Sequence, residues 1–298
     1  MSQTRMKKKD RKESFQYLGM TVPAVALFAV FMVYPVFGGV YYSLTDWNGS
    51  SPHYNFIGLD NYKTFLHDFA VLVPLRNSFV FAILLTIVQN VASLLLAVLL
   101  HGRLRTKNMM RTMLFIPVLL SPLMVGYLWN YLFTDPIAEL GRWLHLETMA
   151  NNFLGNPKTS LYAAIFVNAW RMVGWTMVIY IAALQGVSRE LYEAADMDGA
   201  VGWRKFLYVT CPMIIPAFTV NIVITMERGF KEFDLLFSLT TGGPGNSSEI
   251  LSLTIYHETF EYLRAGYGAT LGVVLFLIIV AITLVQLRLL RKGEDNAR

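Results

Sequence analysis

The chain has 298 residues, of which 55% are hydrophobic and 15% charged, with a mean hydropathy of +0.45. Soluble domains carry about 25% charged residues, so the composition excludes an ordinary soluble globule and points to a membrane class. The net charge is +5, but Lys and Arg are confined to particular loops, a pattern of membrane topology rather than of a nucleic-acid groove.

Residues 1–16 form a basic segment with Arg5, Lys7, Lys8, Lys9, Arg11 and Lys12. An apolar stretch follows over 17–43. It is too long for a signal peptide, and no small-residue cleavage site clearly follows, so an uncleaved first span is expected. Five more apolar segments lie at 78–100, 112–133, 161–184, 208–226 and 269–287. Each is near or above the roughly 20 residues a helix needs to cross about 30 Å of hydrocarbon. Backbone polar groups cannot stay unpaired in lipid, so all six are predicted helices. The expected fold class is an all-α membrane protein with six transmembrane helices over 17–290 and a tail at 291–298. Pro35, Pro117, Pro122, Pro212 and Pro216 fall inside spans, where they kink helices or line a moving path.

Orientation follows from the basic residues. With the N-terminus in the cytoplasm, seventeen of the 25 lie on cytoplasmic segments, seven on outer ones, and Arg171 inside span four. Both termini are therefore expected inside.

The loop between spans four and five carries Glu190, Glu193, Asp196 and Asp198. Ser188 suits a helix N-cap, and Glu190 and Glu193 suit the positive end of the helix dipole. Leu191 and Ala195 are i, i+4 neighbours on one face, with Ala194 beside them. Gly199 suits a helix-ending turn. The segment 188–200 is thus predicted as a short amphipathic helix at the cytoplasmic end of the bundle. The residues alone leave two roles open, a solvated connector or a knob that fits another protein.

Polar groups inside spans are expensive in lipid and mark function more often than elsewhere. Span four holds Asn168, Trp170, Arg171 and Trp175. Span five and its outward continuation hold Asn221, Thr225, Glu227, Arg228, Lys231, Glu232 and Asp234. Asn168, Met172 and Trp175 fall on one helical face, as do Thr225, Gly229 and Glu232. Aromatic faces stack on sugar rings and polar side chains bind hydroxyls. The bland alternatives are an interface anchor for Trp175 and a structural ion pair of Arg171 with Glu227 or Glu232.

Other chemistry is not signalled. The single cysteine, Cys211, offers neither a disulfide nor a cysteine metal cluster. The five histidines are scattered, so no metal site is expected. There is no G-x-x-x-x-G-K-[ST], H-E-x-x-H or G-x-S-x-G stretch. No catalytic residue and no cofactor is expected on this chain.

A family resemblance adds to this reading. Glu193-Ala194-Ala195-Asp196-Met197-Asp198-Gly199-Ala200, followed by Phe206, Pro212 and Pro216, resembles the EAA motif of binding-protein-dependent ABC importer permeases. Cys211 departs from the aliphatic residue often found before that proline. The stretches Ser43-Leu44-Thr45-Asp46-Trp47-Asn48 and Gly58-Leu59-Asp60-Asn61-Tyr62 resemble the sugar-importer branch. So does Phe233-Asp234 followed by Thr241-Gly242-Gly243-Pro244-Gly245.

The resemblance covers nearly the whole chain and implies the type I importer permease fold in a bacterial cell membrane. It makes 188–200 the coupling helix. Glu193 would pair across the ATPase interface and Ala194 and Ala195 would pack against it, with Asp196, Asp198, Gly199 and Ala200 completing the motif. It implies a second homologous permease, two ATPase subunits that bind ATP and Mg, and an extracellular solute-binding protein facing 241–262. It carries Asn168, Met172, Trp175, Thr225, Gly229 and Glu232 over as sugar contacts. The rival reading is an ion-coupled secondary transporter relaying through Arg171 and Glu227. Six spans without an obvious inverted repeat fit that class poorly. A membrane enzyme or scaffold is a third reading, disfavoured by the missing catalytic motifs.

Overall fold

The computed structural model describes Gly19 and residues 21–102, 105–146 and 152–296. The basic segment 1–16, Arg103 and residues 297–298 lie outside the described residues. The chain divides into two units, Met1–Leu66 with Glu258–Val273, and His67–His257 with Val274–Arg298.

In the first unit, α1 (Thr21–Tyr42) contains a π turn at Ala29–Val33, and none of its apolar window is buried. An apolar helix with no buried face is suited to lipid. The following loop folds back through a bridge between Thr45 and Phe56. Tyr42 stacks on Trp47 at 4.4 Å between centroids. Asn55 donates to Asp46 from its side chain and its backbone at 2.9 and 2.6 Å, which holds that carboxyl below its ordinary range. The short α2 (Asp60–His67) follows, and its Asn61 donates to the carbonyls of Ser43 and Thr45.

The second unit is built on α3 (Phe69–His101). The Asp68 side chain caps it by accepting from the Ala70 N–H at 3.0 Å. This helix begins nine residues before the predicted span, because Arg76 and Asn77 interrupt the apolar run without ending the helix. Asn77 instead donates to the carbonyls of Asn246, Ser247 and Glu249.

The predicted third span is broken. Helix α4 (Lys107–Phe115) passes through a 3-10 turn at Ile116–Leu119, and the chain then turns into α5 (Pro122–Thr134) and α6 (Pro136–Trp143). The two halves, Lys107–Leu119 and Pro122–Trp143, meet at 99°. Leu120 and Ser121 are extended, with ψ of 141° and 135°. Pro122 disfavours the helical region at Ser121 and is itself suited to open the next helix.

Helix α7 (Ser160–Gln185) is the most buried span and matches its prediction within a residue. After α8 (Arg189–Met197) the fifth span is also broken, into α9 (Trp203–Met213) and α10 (Ile215–Lys231), bent by 70°. The break falls at Ile214, whose ψ of 4° leaves the helical region two residues before Pro216. The short helices α11 (Asp234–Leu239) and α12 (Leu251–Tyr256) precede α13 (Ala265–Asn296). Four of these helices are long and apolar enough to cross a membrane, and six spans result if each bent pair is one span.

Helices α3, α7 and α10 pack around buried polar pairs as well as apolar ones. Gln89 donates to Thr176 at 2.6 Å, and Tyr180 donates to Asn90 at 2.7 Å. Such bonds join helices where the alternative is an unpaired polar group in hydrocarbon. Apolar clusters lie on either side, one around Phe81, Val125 and Leu235 and one around Ala97, Met177 and Ile214.

Candidate functional sites: a capped helix and a polar cavity

Helix α8 occupies the middle of the predicted segment 188–200. Ser188 has the extended backbone of an N-cap, but its hydroxyl makes no capping bond, contrary to expectation. The C-terminal end behaves as predicted. The Ala200 N–H donates to the Ala195 carbonyl at 2.9 Å and the Gly199 N–H to Asp196 at 3.1 Å. This is the paired bonding of a Schellman cap. Gly199 has φ of +73°, in the left-handed region that glycine enters without a Cβ penalty.

Glu193, Ala194, Asp196, Asp198 and Gly199 are exposed, and Ala200 is half-buried. Ala195 is 6% exposed, buried by its own chain. Sequence reading missed what fastens the helix. Tyr192 bonds Thr210 at 3.2 Å, and Lys205 lies 2.6 Å from Asp196 and 5.3 Å above the Tyr192 ring. A groove of about 400 Å³ separates Leu191, Ala194 and Asp198 from Tyr208 and Pro212.

The second site is a cavity of about 780 Å³ among α3, α7, α10 and the break in the third span. Asn168, Met172 and Trp175 line it from α7, on the single face their spacing predicts. Glu232 lines it too, but by a different route from the one expected. Helix α10 ends at Lys231, and Glu232 has extended backbone with ψ of 126°. Its carboxylate therefore swings across to α7 and accepts from Asn168 at 2.6 Å.

Because the helix has ended, Glu232 leaves the face that Thr225 and Gly229 share, and that face turns to α3. Thr225 and Gly229 are buried against α3 and do not line the cavity. Asn90 donates to Thr225 at 3.4 Å, and a Cβ on Gly229 would come within 2.7 Å of Ala82 Cα. Gln89, Val118 and Pro122 do line it. Their part was hidden because it depends on how separate spans meet, which spacing within one helix does not encode.

Charges at the cavity are balanced, with Arg171, Arg228 and Lys231 against Glu227, Glu232 and Asp234. Of the two partners open to Arg171, Glu232 is the one taken, at 3.8 Å. Glu227 instead pairs with Lys231 at 2.5 Å. The Arg228 guanidinium lies 5.3 Å from the centre of the Trp175 ring. A wall with an aromatic surface, a carboxamide and carboxylates suits a polyhydroxyl ligand that has both C–H faces and hydroxyls. Among the described residues no group of three or more His, Cys, Asp or Glu side chains is placed to hold a metal.

Comparison with known proteins fits this architecture. The chain is 34% identical over 283 residues to the probable starch degradation products transport system permease protein AmyD of Thermoanaerobacterium thermosulfurigenes, spanning 95% of this chain and 96% of that protein. It is 30% identical over 286 residues to the multiple sugar-binding transport system permease protein MsmF of Streptococcus mutans, spanning 95% and 99%. The fold is that of a chain in the crystal structure of a bacterial alginate ABC transporter in complex with alginate pentasaccharide-bound periplasmic protein. There the TM-score is 0.82 at 20% identity, over 96% of this chain and 97% of that one. Residues 13–293 match the family described as binding-protein-dependent transport system inner membrane component. With its spans, its broken helices and this match over nearly its whole length, the chain belongs to that family.

Proposed function

We propose that this chain is the transmembrane permease subunit of an ATP-driven ABC importer that carries a sugar, an oligosaccharide by size. The observation that carries the reading is the 780 Å³ polar cavity faced by Trp175, Asn168 and Glu232. Its size and mixed aromatic and polar wall suit a short oligosaccharide. The names of the relatives, which refer to starch degradation products and to multiple sugars, support the same class.

In this reading α8 is the coupling helix. A second homologous permease and two ATPase subunits complete the membrane complex, and an external binding protein delivers the sugar. ATP and Mg are held by the ATPase. ATP binding closes the ATPase pair, α8 moves, and the spans pass from inward-open to outward-open. Such a switch requires an effector with different affinity for the two states, and ATP on the remote subunit supplies it.

Gentle affinity purification from the native membrane tests the reading. Recovery of an ATPase, a second six-span permease and a binding protein is expected, and the binding protein can then be screened against oligosaccharides. A chain that comes out alone and transports without ATP would instead be an ion-coupled secondary transporter. A second test addresses α8. Gly199→Asp places a side chain at a left-handed φ and adds a carboxylate to an already acidic tip. Uptake is expected to fall at least tenfold with the protein at normal abundance in the membrane, an effect of about 1.4 kcal/mol or more on coupling. Normal uptake in that variant would remove α8 from the mechanism.

A further inference from the structure

The groups that suit this cavity to a sugar are already occupied by the chain itself. Asn168 donates to Glu232. The Trp175 ring carries the Arg228 guanidinium, whose Nη1 also lies 4.0 Å from the Met172 sulfur. Trp175, Met172 and Arg228 all line the cavity, so the guanidinium rests on the ring at the wall a sugar would reach.

Arg228 differs from the other two cations there. Arg171 is paired with Glu232 and Lys231 with Glu227. Among the described residues no ion pair joins Arg228 to a carboxylate, and the residue is exposed. A planar, weakly hydrated guanidinium stacks on an aromatic face. Its long stem lets it leave without disturbing the backbone. A sugar ring stacks on the same aromatic surface through its C–H face. The two therefore compete for one place.

We propose that Arg228 is a specificity-determining residue that covers Trp175 in the empty cavity and is displaced when a sugar ring stacks there. The proposal rests on the reading of this cavity as the sugar site. It has a chemical consequence. A ligand whose ring face replaces the guanidinium contact is favoured, so a cyclic sugar is preferred over an open-chain polyol, which has hydroxyls but no such face, by about the two- to fivefold that the contact is worth.

The test uses the complete purified complex without its binding protein. The probe is the sugar released from the co-purified binding protein, identified and radiolabelled, with equilibrium binding as the readout. A cation–π contact at an exposed site contributes about 0.5–1 kcal/mol, equivalent to about two- to fivefold in affinity. Arg228→Ala and Arg228→Gln are each expected to tighten binding by about that factor. The Gln variant retains a polar side chain of similar length, so it serves if the Ala variant assembles poorly. Trp175→Ala is expected to weaken binding by about two- to tenfold, and Arg228→Ala added to it to have no further effect.

Unchanged or weaker binding in both Arg228 variants, with Trp175→Ala still weakened, would overturn the competition and leave the sugar site in place. Unchanged binding in Trp175→Ala would overturn both.

Discussion

Replacing Glu232 by alanine is expected to destabilise the protein by about 3–5 kcal/mol, the effect of removing one partner from a buried ion pair. The Arg171 side chain is 10% exposed and that of Glu232 11%. The Arg171 Nε is already buried without a hydrogen-bond partner. Without Glu232 the guanidinium loses the carboxylate at 3.8 Å, Asn168 loses its acceptor, and the Leu235 N–H at the start of α11 loses the oxygen that receives it. Thermal unfolding of the detergent-purified protein reads the effect directly. Glu232→Gln retains an acceptor for Asn168 and Leu235 but not the charge, so it is expected to fall between wild type and alanine. Replacing both members by apolar residues, Arg171→Met with Glu232→Leu, is expected to recover much of the loss, since no unpaired charge is left. A Glu232→Ala protein that melts with the wild type would mean that the pair contributes nothing to the fold.

The second large effect is steric. Gly174 lies where α7 meets the end of α4, and a Cβ there would overlap the Leu114 carbonyl oxygen and lie 2.9 Å from Phe115 Cα. Both obstacles are backbone, so no rotamer change relieves them. Overpacking a tight site costs about 1–3 kcal/mol and sometimes more. Gly174→Val adds further bulk against atoms that cannot yield, so about 3 kcal/mol or more is expected. The measurement is the amount of folded protein recovered from the membrane and its melting temperature. Gly272→Ala is the matched control, because a Cβ at Gly272 meets nothing within 4 Å. Equal recovery and melting of Gly174→Val and wild type would show that the helices do not approach this closely.

Span four was legible in the sequence to within a residue because its apolar run ends where its helix ends, whereas the last helix, Ala265–Asn296, extends beyond the predicted 269–287 at both ends. The helix at 188–200 was legible because its C-terminal signal is a single residue type, Gly199, with one physical use. The breaks at Ser121 and Ile214 were not. Apolar residues continue through both, so hydropathy reports one span while the backbone turns by 99° or 70°. The prolines marked these places, but Pro74 sits inside α3 without breaking it, so proline alone does not decide between a kink and a turn. In the cavity the same limit applies. Asn168, Met172 and Trp175, carried over by the resemblance, were placed on one face by helical spacing, which holds throughout α7. Thr225 and Gly229, carried over by the resemblance, share a face as their spacing predicts, but that face packs on α3, which spacing within one helix does not encode.

The join at Ile214 also has a mechanical meaning. Helix α8 is fastened to α9 at Tyr192 with Thr210 and at Asp196 with Lys205, so under the proposed coupling role a push on the short helix would be delivered to α9. Beyond Ile214 the axis changes direction by 70°, so only about a third of an axial thrust continues along α10 and the rest acts sideways. On that reading the elbow would convert a stroke into a swing. On the proposed reading of α8 as a coupling helix, such a swing of α10 would carry Arg228, which lines the cavity, across its mouth.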